Sequence, residues 1–91
     1  MTFDELVFEP HPYAPRGKIA KHTFPNGYSV SVLRSPGSYG YDMGRYELAV
    51  YYGGGISYDN PVTGNMTDGI RGWLTEDDVT KYLKEVEALS S

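Results

Sequence analysis

Residues 18–34 read Lys-Ile-Ala-Lys-His-Thr-Phe-Pro-Asn-Gly-Tyr-Ser-Val-Ser-Val-Leu-Arg, and this stretch decides the fold. Two arms flank Pro25-Asn26-Gly27. Asn-Gly supplies two residues that tolerate positive φ, which a tight hairpin turn needs. In the second arm Tyr28, Val30 and Val32 alternate with Ser29, Ser31 and Leu33. Alternation with period two, serine on the outer face, marks a half-buried strand of an antiparallel sheet.

Beyond the hairpin, residues 35–45 hold three glycines and a proline and read as a long loop. Residues 46–52, Tyr-Glu-Leu-Ala-Val-Tyr-Tyr, then read as a third strand. Gly53-Gly54-Gly55 breaks it, and Ile56-Ser57-Tyr58 makes a short fourth strand. Residues 59–74 read as an irregular loop, turned outward by Asp59-Asn60-Pro61 and broken by Gly64, Gly69 and Gly72.

Residues 75–90 are expected to form a helix. Thr75 is its N-cap, and Asp78 three residues on completes a capping-box variant. Glu76, Asp77 and Asp78 put negative charge where the helix dipole favours it. Val79, Leu83 and Val86 fall at i, i+4 and i+7, with Tyr82 and Leu89 beside them, as one apolar stripe. Trp73 and Leu74 are expected to staple this helix to the sheet. At the other end, three prolines within residues 9–15 make residues 1–17 an extended segment, anchored by Phe3, Leu6 and Phe8. The expected fold is therefore α+β. It is an antiparallel sheet of three to four strands over residues 18–58, with one C-terminal α-helix packed on a face, all in a single domain of residues 1–91.

Composition bounds the function. The chain has 91 residues, 22% of them charged, and a net charge of −4. It has no cysteine, which excludes a disulfide framework, a thiolate metal site and a cysteine nucleophile. Neither a signal peptide nor an apolar run long enough to span a membrane is visible, so a cytoplasmic protein is expected. The charge is uneven. Residues 16–34 carry four bases and no acid, whereas residues 59–91 carry seven acids and three bases.

Catalytic signals are missing from the sequence. His11 and His22 are the only histidines and do not stand at metal-ligand spacing. Asp59, Asn60, Asn65 and Asp68 do not match a calcium loop. No Gly-x-Ser-x-Gly elbow, phosphate loop or dinucleotide fingerprint occurs. The expectation is a non-enzymatic protein with no metal and no cofactor.

Tyrosine is the unusual component. Six of the nine tyrosines lie within residues 39–58. Tyrosine combines large contact area, few rotors and a polar tip, which suits recognition surfaces. Tyr39, Tyr41, Arg45, Tyr46, Tyr51 and Tyr52 are accordingly the expected partner-binding residues. The alternative is a single-stranded nucleic-acid-binding module on the basic hairpin, in which Arg16, Lys18, Lys21 and Arg34 hold the backbone while Phe24 and Tyr28 stack on bases.

Several blocks in order resemble small accessory proteins encoded by bacteriophages. They are His22 to Val32, Gly37-Ser38-Tyr39-Gly40, Tyr46 to Val50, Tyr58 to Val62, and Gly72 to Val79. The resemblance spans about residues 20–89. It implies a protein at work in the host bacterial cytoplasm that binds and inhibits or modulates a host or antiviral-defence protein. It implies no catalytic residues.

Overall fold

The computed structural model describes residues 1–14, 16–38, 40–57, 60–64 and 69–89. Expectations placed on Tyr39, Tyr58, Asp59, Asn65 and Asp68 lie outside the described residues. The fold is α+β. A 3₁₀ turn at Phe3–Glu5 leads into β1 (Glu9–Pro10), β2 (Lys18–Thr23), β3 (Tyr28–Arg34), a second 3₁₀ turn at Tyr41–Met43, β4 (Tyr46–Tyr52), β5 (Gly55–Ile56) and β6 (Ile70–Leu74). The helix α1 (Glu76–Glu87) ends the order. All pairings are antiparallel, in the order β1-β2-β3-β4-β5, with β6 also paired to β4.

The described strands number six rather than three to four, and two corrections account for the difference. Glu9–Pro10 adds a short strand against Ile19 and Lys18. Residues 70–74, expected to be irregular because Gly69 and Gly72 interrupt them, pair with β4 instead. Ile70, Arg71 and Leu74 pair with Ala49, Leu48 and Tyr46, and Gly72 and Trp73 between them are absorbed in a bulge.

The hairpin between β2 and β3 has the expected position but a different turn. Phe24 N–H donates to the Tyr28 carbonyl at 2.8 Å and Gly27 N–H to the Phe24 carbonyl at 3.1 Å, so three residues form the loop. Only Gly27 takes positive φ, at 90°. This is the longer hairpin loop whose last residue is left-handed. The two-residue turn with both φ positive occurs instead between β4 and β5, at Gly53 and Gly54.

Helix α1 covers one face of the sheet. Its capping box is formed: Asp78 N–H donates to Thr75 Oγ1 at 3.0 Å, and Thr75 N–H donates to Asp78 Oδ2 at 3.0 Å. Val79, Leu83 and Val86 are fully buried against Val30, Val32, Leu48, Val50 and Val62. Phe3, Leu6 and Phe8 pack on the margin of that core. The opposite sheet face carries Ile19, Lys21, Thr23, Ser29, Ser31, Leu33, Ala49 and Tyr51 by strand alternation. Ser31, expected on the outer face, is only 3% exposed; it sits in a central strand between Lys21 and Ala49.

Candidate binding surface at the Trp73 bulge

The distinctive local geometry lies where β6 meets β4. Tyr46 pairs with Leu74 and Leu48 pairs with Arg71. Between those pairs one residue of β4, Glu47, faces two of β6, Gly72 and Trp73. That is a β-bulge, a device that bends an edge and re-aims a side chain. Trp73 carries it with φ of 56°, a conformation that costs a bulky residue of order 1–3 kcal/mol. Its side chain is turned outward and is 57% exposed, while Leu74 beside it is buried. Of the expected staple, only Leu74 fills that role.

The loop before β4 wraps against this tryptophan. Gly37, Ser38, Gly40, Tyr41, Asp42, Met43 and Trp73 line an open cleft of about 360 Å³. A 3₁₀ turn at Tyr41–Met43 forms its wall, with left-handed Gly40 and Gly44 at either end. Met43 is 65% exposed. A cleft with an outward indole, an exposed thioether and a carboxylate at Asp42 can accept a large or cationic side chain.

The expected partner-binding residues are divided. Tyr41 lines this cleft, and its ring supports the Arg34 guanidinium, 4.6 Å from centroid to Cζ. Arg45 lies next to Gly40 in the same loop. Tyr46 is a correction: it is only 6% exposed, because it sits at a helix-side position and meets Phe3 edge-on at 5.1 Å. Tyr51 and Tyr52 lie at the far end of β4, about 20 Å away by strand rise. There they line a second depression of about 330 Å³ with Lys21, His22, Thr23 and Ser29.

The basic hairpin is not one surface. Phe24 is a correction to the stacking role: it is 3% exposed and belongs to the core. Tyr28 is half-buried, its ring tilted against that of Tyr52 with centroids 4.5 Å apart. Lys18 lies over the Phe8 and Tyr46 rings, at 4.8 and 5.4 Å, and Arg34 donates to the Tyr41 carbonyl at 3.1 Å. Lys21 points from the opposite sheet face, and Arg16 is exposed in the preceding turn. The four cations and two aromatics therefore do not converge.

His22 stands edge-on to Phe24 at 4.7 Å, and His11 Nδ1 accepts the Tyr13 N–H at 3.1 Å. Among the described residues no three His, Asp or Glu side chains come together in a way that could hold a metal, and no helix is long and apolar enough to cross a membrane. Sequence reasoning missed Trp73 and Met43 as surface residues. The available signal was a lone tryptophan next to a glycine in a stretch with no helical or strand periodicity. No family model, curated protein or solved structure matches the chain.

Proposed function

We propose that this protein is a non-enzymatic binding module that engages a partner protein through the cleft between Trp73 and the Tyr41–Met43 turn. The observation that carries the reading is the bulge. A bulky residue is held at positive φ, a costly conformation for a side chain of this size, with its indole 57% exposed to solvent. Exposed tryptophan and methionine lining one cleft are side chains typical of interaction surfaces. Asp42 in the cleft and the net charge of −4 favour a partner that offers an arginine or lysine, stacked on the indole and paired with the carboxylate. The resemblance to bacteriophage accessory proteins directs the search to bacterial host and antiviral-defence proteins.

Trp73 is the only tryptophan, so its fluorescence reports the cleft directly. Bacterial proteins retained by the wild type are identified and purified, then titrated against it. A true partner shifts and quenches Trp73 emission and loses at least roughly tenfold in affinity with Trp73→Gly, the cost of one hot-spot side chain. Equal affinity of wild type and Trp73→Gly for every retained protein would refute the assignment.

A further inference from the structure

We propose that Asn26 is a site of spontaneous deamidation whose conversion releases the C-terminal end of helix α1. The side-chain amide of Asn26 is the clamp between the β2–β3 turn and that helix end. Its Nδ2 donates to the carbonyls of Val86 and Leu89, at 2.9 Å each, with the Glu87 carbonyl at 3.3 Å. Its Oδ1 accepts the Tyr28 N–H at 3.0 Å. The same helix end holds the chain's N-terminus, since the Met1 ammonium pairs with Glu87 at 2.8 Å. One amide thus ties together the turn and the last helical carbonyls, beside the residue that pairs with the N-terminus.

The chemistry follows from the neighbour. Asn26 precedes Gly27, which has no Cβ to shield its backbone nitrogen. That nitrogen attacks Asn26 Cγ. The N–Cγ bond forms, the Cγ–Nδ2 bond breaks, and Nδ2 leaves as ammonia with the Gly27 amide proton. The five-membered succinimide takes up water and opens at either carbonyl, to aspartate or isoaspartate. The other two asparagines differ in their neighbours. Asn60 precedes Pro61, which offers no N–H, and Asn65 precedes the larger Met66.

The native geometry restrains the step. The Gly27 N–H is bound to the Phe24 carbonyl and the Asn26 amide is fixed by its acceptors, so attack requires the turn to open. After reaction the opening is locked in. A carboxylate cannot donate to the carbonyls of Val86 and Leu89, and it stands at the negative end of the helix dipole. Isoaspartate also adds a backbone methylene within the Phe24–Tyr28 loop. Deamidation therefore acts as a one-way timer on helix docking.

The test ages the full chain at neutral pH and follows the fragment containing Asn26 by mass spectrometry, with isoaspartate detection, beside a synthetic peptide of residues 23–29. The expected result is a gain of about one dalton at Asn26, at least ~tenfold slower than in the peptide because only the opened turn reacts. Leu89→Ala keeps the carbonyl that Asn26 binds but removes the side chain that packs this chain end on the core, so it should loosen the clamp and bring the rate toward that of the peptide. The aged fraction and Asn26→Asp should both show faster amide exchange across residues 86–89. An unchanged Asn26 after the peptide has converted, a protein rate equal to the peptide rate, or unaltered exchange in the aged fraction would each overturn the proposal.

Discussion

Gly40 lies directly against Trp73. A Cβ added to Gly40 would stand 3.1 Å from the Trp73 Cα, 3.0 Å from the indole Cδ1 and 2.7 Å from the Arg45 Cβ. The backbone of the loop and the backbone of the bulge are therefore in close approach, and Gly40 also holds φ of 85°. Substitution there moves one wall of the cleft relative to the other. Gly40→Ala is expected to lower stability by about 1–3 kcal/mol in urea unfolding, through strain and clash together. It should also shift the emission of Trp73, which lies at the point of contact. An unchanged emission maximum would show that the loop is not seated on the bulge.

Trp73 and stability should be opposed. Glycine adopts φ of 56° without penalty, whereas tryptophan pays for it. Trp73→Gly is expected to leave the melting temperature unchanged or raise it, by up to about 1 kcal/mol of stability, while partner affinity falls. A marked loss of stability would make Trp73 a structural residue and remove the argument from strain.

Tyr46 and Tyr52 lie on one strand and should respond differently. Tyr46 is enclosed by Phe3, Phe8 and Lys18, so Tyr46→Ala should cost about 3 kcal/mol. Tyr52 is 46% exposed, with its ring tilted against Tyr28 and lying over Gly27, so Tyr52→Ala should cost about 1 kcal/mol or less. Chemical unfolding of the two variants checks the contrast, and equal losses would contradict the burial of Tyr46.

Acid should weaken the two N-terminal caps. Glu5 accepts the Thr2 N–H and Asp78 accepts the Thr75 N–H, and these backbone hydrogen bonds hold each carboxyl below its ordinary value of 4.5 or 3.8. Each group binds its proton more weakly folded than unfolded. Its contribution is complete above those ordinary values and is lost as pH falls through the lowered folded ones. Urea midpoints measured from neutral pH downward should therefore be flat and then decline below about pH 4.5. The Glu5→Gln/Asp78→Asn double variant should be less stable at neutral pH and decline less steeply. Parallel curves for wild type and variant would exclude this origin.

The Asn26 clamp should distinguish alanine from aspartate. Asn26→Ala leaves the carbonyls of Val86 and Leu89 without that donor, at about 1–3 kcal/mol. Asn26→Asp should cost more, because it adds a negative charge against those carbonyls. A reversed order in thermal or urea unfolding would refute the capping role.

The sequence by itself determined the α+β class, the β2–β3 hairpin, the strand at Tyr46–Tyr52 and the helix with its Thr75 cap. These depend on short-range periodicity and on local hydrogen bonds between residues a few positions apart, which the order of side chains encodes directly. Tertiary structure decided which tyrosines are surface and which are core, because alternation along β4 does not say which face the helix will cover. It also decided the strand at Ile70–Leu74 and the outward turn of Trp73. Those arise from pairing with a strand more than twenty residues earlier, where one extra residue is accommodated as a bulge. Asn26 shows both sides at once: its place in the turn is local, but its amide caps a helix 60 residues further along the chain.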